Sequence, residues 1–150
     1  MREWLAAMCL LSACSDDGGT GPGNGCGFAI TLSGAATASF TTSDAFTCSA
    51  AANSSGDPII VFYPEHETLM RFDIDFPSES ANMTGPNIEG DFTVVSTSGF
   101  TWAADCTYDI ARWEGTGGQQ HIQGTGTCDP LEPETGNQTI TVTDLAFDTF

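Results

Sequence analysis

Between Phe100 and Ile110 the large residues fall on every second position. Phe100, Trp102, Ala104, Cys106, Tyr108 and Ile110 share one parity, and Thr101, Ala103, Asp105, Thr107 and Asp109 share the other. Successive side chains of an extended chain point to opposite faces, so this pattern predicts a half-buried antiparallel strand. Nothing from Cys26 onward repeats at helical spacing, whereas alternation recurs. Phe28, Ile30 and Leu32 alternate with small residues, and Met70, Phe72, Ile74 and Phe76 oppose Arg71, Asp73 and Asp75. The run Pro58–Tyr63 is continuously apolar, which predicts a strand covered on both faces. Asp91–Thr97 and Gln119–Thr127 read as further strands. Near the end, Ile140 and Val142 have one parity and Leu145 and Phe147 the other, and a β-bulge near Thr143-Asp144 would return all four to one face.

Turn residues separate these runs at Gly34, Ser54–Asp57, Pro77, Gly85-Pro86, Ser98-Gly99 and Pro130–Gly136. About eight or nine short strands at such spacing predict an all-β fold, an antiparallel β-sandwich, with a small up-and-down β-barrel as the alternative. The 150 residues suit one domain. That domain is expected over 26–150, where a chain of this size buries roughly two-thirds of its unfolded surface.

The first 25 residues differ in kind. Arg2 precedes the apolar run Trp4–Leu11, and Leu11-Ser12-Ala13-Cys14 closes it in small residues. This arrangement resembles the signal peptide and lipobox of bacterial lipoproteins. The resemblance implies that 1–13 is removed and that Cys14 becomes a lipid-bearing N-terminus. Residues 14–25 then read as the lipidated Cys followed by a flexible Gly-rich tether. In proteobacterial lipoproteins a Ser after the modified Cys implies transfer to the outer membrane. Ser15-Asp16-Asp17 also resembles the surface-export signal of Bacteroidetes lipoproteins, which implies surface exposure. The expected address is therefore the cell envelope, with the membrane contacted through the N-terminal lipid.

Setting Cys9 and Cys14 apart leaves Cys26, Cys48, Cys106 and Cys128. An even count in an exported domain predicts two disulfides. Four cysteines allow three connectivities, and equal spacing favours Cys26–Cys48 with Cys106–Cys128. The midpoint of Cys106 and Cys128 is Gly117, inside Gly115-Thr116-Gly117-Gly118, so one hairpin would place the two sulfurs opposite each other. A zinc site is the rival reading, opposed by the absence of a C-x-x-C knuckle and of paired histidines.

Twenty acidic residues against three arginines and no lysine give a formal net charge of -17. Such a surface repels phosphate backbones, which excludes nucleic acid as a partner. It also offers anionic headgroups no cationic patch. Solubility is the plain meaning of the acidity, and calcium binding by converging carboxylates is the sharper one. Asp73 and Asp75 share a strand face and are the candidate cation ligands, although D-x-D on a strand is ordinarily a solvated face.

A search for catalytic chemistry finds little. His66, in the turn Tyr63–Glu67, and His121, after a Gly-rich turn, are the only imidazoles, and both read as surface histidines. No Ser or Thr sits in a G-x-S-x-G elbow. Trp113, beside Arg112 near the expected hairpin tip, is the candidate for stacking on a glycan or anchoring a protein ligand. The plainer alternative folds it back over the domain end. Three sequons, at Asn53, Asn82 and Asn137, are read as accidental beside a bacterial lipobox. The functional expectation is a non-catalytic binding or structural domain, with a calcium-stabilised module and a small hydrolase as alternatives.

Overall fold

The computed structural model describes residues 26–44, 46–116 and 119–150. The expected signal peptide, Cys14, the tether and the glycines 117 and 118 lie outside these residues. Ten strands form: β1 (Gly27–Gly34), β2 (Ala38–Phe40), β3 (Phe46–Ala52), β4 (Pro58–Pro64), β5 (Leu69–Asp75), β6 (Gly85–Ser96), β7 (Thr101–Glu114), β8 (His121–Cys128), β9 (Glu132–Pro133) and β10 (Ile140–Asp148). The fold is all-β and antiparallel, as the alternation requires. The strands that no run in the sequence announced are β3 and the short β2 and β9.

All ten belong to one sheet, ordered β2-β1-β10-β8-β7-β6-β5-β4-β3, with β9 added alongside β7. From β3 to β8 the chain runs up and down between neighbours, and β10 then inserts between β8 and β1. The sheet curls so that its halves pack face to face like the layers of a sandwich. Phe28 on β1 stacks on Phe62 of β4 and Phe72 of β5 with ring centroids 4.4 and 5.1 Å apart, and meets Phe46 of β3 edge-on at 5.0 Å. Each such ring, fully buried, contributes about 1.5–3 kcal/mol relative to an exposed one.

Two disulfides form, with the favoured connectivity. Cys106–Cys128 joins directly paired residues of β7 and β8, as the hairpin midpoint predicts. Cys26–Cys48 does not flank a hairpin. It ties the start of β1 to β3, which are not hydrogen-bonded neighbours, and so holds the two ends of the curled sheet together.

Irregularities in the ladders decide which residues face inward. In β10 the register against β1 shifts opposite Ile30, and Asp144 takes a left-handed φ of 57°. This is the anticipated bulge, and Ile140, Leu145 and Phe147 all face the core, with half-buried Val142 packed against it. A bulge between Leu69 and Arg71 in β5 turns Leu69 inward and leaves Met70 exposed, contrary to simple alternation. The expectation that β4 is covered on both faces also fails. Its outward Ile59 and Val61 are half-buried and Tyr63 is exposed, so that face is only partly covered among the described residues. Phe100 likewise precedes β7 and stands outside the core.

Inside the curl, Gly126 makes room for an aromatic ring. A Cβ there would lie 2.7 Å from Leu145 and 2.8 Å from the Tyr108 ring. Tyr108 uses that space and donates its hydroxyl to the Asp91 carbonyl at 3.2 Å. Burial pushes its phenol above the ordinary tyrosine range. The core thus anchors β6 at the point where the outer face is most acidic.

Candidate functional site

Strand register gathers the acidic residues. Asp75 on β5 pairs with Asp91 on β6, and Asp91 pairs with Asp105 on β7. Three carboxylates therefore lie in a row across three strands on the outer face, where direct cross-strand neighbours of like charge repel. Asp57, Glu89 and Asp129 join them around a cleft of about 760 Å³. Part of its wall is the Cys106–Cys128 disulfide.

The electrostatic consequence is visible in the carboxyl groups. Burial raises Asp75 above the usual carboxylate pKa, and the charges of Asp73, Asp91 and Asp57 raise it further, while Arg71 opposes them. Burial also raises Asp91, followed by a hydrogen bond to Asp105, which only a protonated carboxyl can donate, and by the Asp105 charge. The row is short of positive charge.

Asp73 departs from the expected solvated face. It is buried, and one oxygen, Oδ2, takes both the Arg71 Nε hydrogen bond and the Nη2 contact at 3.0 Å. Its other oxygen, Oδ1, is buried without a partner. Burial raises its pKa and Arg71 pulls it back. Asp73 is thus engaged in an ion pair and is not a free cation ligand through Oδ2. Among the described residues, no three His, Cys, Asp or Glu side chains are gathered closely enough to hold a metal ion.

The two histidines are kept apart. His66 accepts from the Thr68 amide at 3.2 Å through Nδ1 and lies edge-on to Phe40, a local turn role. His121 sits between Asp148, 2.9 Å from Nε2, and the Arg112 guanidinium, 3.3 Å from Nδ1. A guanidinium can only donate, so Nδ1 accepts and Nε2–H donates to Asp148. Both ring nitrogens are occupied, and neither is left to activate a nucleophile.

Trp113 is buried at 5% exposure, folded back into the domain as the plainer alternative has it. A bulge between Ile110 and Arg112 rotates it inward, where it packs on Phe76 at 5.0 Å and donates Nε1–H to the Gln120 amide oxygen at 3.2 Å. The exposed aromatic that parity reasoning had assigned to the core is Phe100, 54% exposed and 6.1 Å from the Trp102 ring. It lies at a second cleft, of about 650 Å³, formed by the turns around Ala36, Thr68, Thr97 and Gly136.

Comparison with protein-family models, curated proteins and solved structures returns no match. Whatever the chain does must be argued from its own residues.

The sequence carries a signal for the acidic row. The midpoint of Asp91 and Asp105 falls on position 98, within the recognised Ser98-Gly99 break. A hairpin centred there places the two carboxylates opposite each other. The Phe100 cleft carried no such signal, because it is assembled from four separate turns.

Proposed function

We propose that this chain is an exported lipoprotein, held at the cell envelope through lipid on Cys14, whose β domain has a non-catalytic binding or structural role. The observation that carries the reading is the pairing of all four cysteines of the domain in two disulfides. Disulfides persist in oxidising compartments and are rare in the cytosol. That pairing agrees with export, and it leaves Cys14, at the end of the lipobox-like segment, with a separate chemical fate.

The non-catalytic half of the reading draws support from the occupied nitrogens of His121 and the local role of His66. Charge supports attachment by lipid alone, because a net charge of -17 gives the protein no electrostatic hold on anionic headgroups. A single acyl chain anchors only marginally, so stable attachment needs the multiple chains a lipoprotein cysteine carries.

Metabolic labelling with a palmitate analogue tests the anchor. Label is expected on the wild-type chain and absent from Cys14→Ala, which should also leave the membrane fraction. Label retained in that variant would contradict the reading.

A further inference from the structure

We propose that the cleft beside Phe100 is a binding site for a neutral saccharide. The inference rests on the binding half of the reading above and is independent of the lipid anchor.

Charge is the first argument. In a chain with twenty carboxylates, none of the fifteen residues lining this cleft is charged. Of two other large concavities on the domain, one draws six acidic side chains to its wall and the other, of about 810 Å³, holds Asp109 and Asp148. A neutral cleft on so acidic a surface excludes cations as its natural ligand, since they find better partners elsewhere. It also lies within a field that repels anions. A neutral ligand is what remains.

The second argument is the kind of surface presented. Phe100 is 54% exposed, and the Trp102 ring lies next to it, with its indole N–H donated to the Gln138 carbonyl at 3.0 Å. That hydrogen bond fixes Trp102 and leaves Phe100 as a ring held against a rigid neighbour. Ser96 sets the backbone of Phe100 by accepting its amide at 2.9 Å. An aromatic face of this kind packs against the C–H face of a sugar ring, burying apolar area while the sugar hydroxyls stay outward.

Those hydroxyls need partners, and the rim supplies them. Thr37, Thr135, Asn137 and Gln138 make no side-chain hydrogen bond among the described residues, and all are exposed. Two hydroxyls and two amides can each donate and accept, which matches the dual character of a sugar hydroxyl. The volume, about 650 Å³, lies within the range of small-ligand sites.

The full chain, purified in detergent, is titrated by calorimetry with maltohexaose, cellohexaose and xylohexaose, and with hexagalacturonate as an acidic comparator. Saturable binding of at least one neutral oligosaccharide is expected, with weaker or no binding of the acidic one. Phe100→Ala should weaken that binding at least about fivefold. Phe150→Ala, which removes an equally exposed ring at a different place, should leave it within about twofold. Unchanged circular dichroism and melting temperature show that both variants fold. Absence of any neutral binding overturns the proposal, as does preference for hexagalacturonate. Neutral binding indifferent to Phe100→Ala overturns the site while leaving a binding function in place. None of these results bears on palmitate labelling at Cys14.

Discussion

Two of the clefts on this domain are similar in size and opposite in the character of their walls. One, near 760 Å³, brings six carboxylates together across β4–β8, and the other, near 650 Å³, carries no charge at all. Strand pairing sets Asp75, Asp91 and Asp105 side by side in the acidic cleft, with Asp57 and Asp129 added from the chain just outside β4 and β8. The neutral cleft is built mainly by turns. Within a ladder, side-chain position is dictated by register, so repulsive neighbours are forced together whatever their charge. Turns are free of that constraint and can select neutral polar residues beside an aromatic ring. The comparison teaches that the acidic cleft carries an electrostatic cost in the folded state, whereas the neutral cleft is free to serve a ligand.

The largest stability effect expected from this contrast lies at Arg71, the guanidinium nearest the acidic row. Arg71→Met removes the only partner that the buried Asp73 carboxylate has among the described residues. Discounted for the 41% exposure of the Arg71 side chain, the loss is about 1–3 kcal/mol, measurable by urea unfolding. Arg112→Met is the control, because its contacts with Glu114 at 4.0 Å and with His121 at 3.3 Å are both exposed, and a change within about 0.5 kcal/mol is expected there.

The next effect has the opposite sign. Asp91→Asn keeps the shape of the side chain and removes one charge from the row, so it should stabilise the fold by up to about 1 kcal/mol. Asn137→Ala at the neutral cleft should do nothing within about 0.5 kcal/mol. Equal effects of the two changes would dissolve the distinction between the clefts.

The pH dependence follows from the same groups. Asp73, Asp75 and Asp91 have folded pKa values raised above 3.8, so the folded chain binds their protons more tightly than the unfolded chain does. Stability contributed by these groups is therefore gained as pH falls from neutral through their raised values, and the gain is complete below 3.8. Melting temperature should rise as pH is lowered from neutral toward 3.8. The rise should shrink in an Asp75→Asn, Asp91→Asn double variant.

Counter-ions give the smallest effect. Sodium chloride should raise the melting temperature slightly by screening the row. Calcium is expected to raise it no further than sodium chloride at matched ionic strength, given that no three ligating side chains are gathered among the described residues. A calcium-specific rise that chelator reverses would make the acidic row a cation site after all.

Most of the architecture was legible in the alternation of the sequence, including the β10 bulge and the Cys106–Cys128 pairing. Alternation failed where a bulge changed the parity, as at Met70, because one extra residue shifts the side chains on one side of it to the other face. It also failed at Phe100, which has the parity of the core but lies beyond the end of the ladder. The apolar run of β4 misled in another way, since apolar residues on an outer face need not be covered. As for the sites, Asp75, Asp91 and Asp105 become neighbours only through register. The cleft at Phe100 depends on how distant turns meet, which no local pattern records.

The central claim is that export, lipid attachment and disulfide closure belong to one chain. Intact-mass and fragment-ion spectrometry of the protein from the membrane fraction tests all three together. The account predicts an N-terminus at Cys14 bearing diacylglycerol, with Cys26, Cys48, Cys106 and Cys128 oxidised in two pairs and resistant to alkylation without reductant. A chain that retains Met1 with an unmodified Cys14, or one whose domain cysteines alkylate freely, would contradict it.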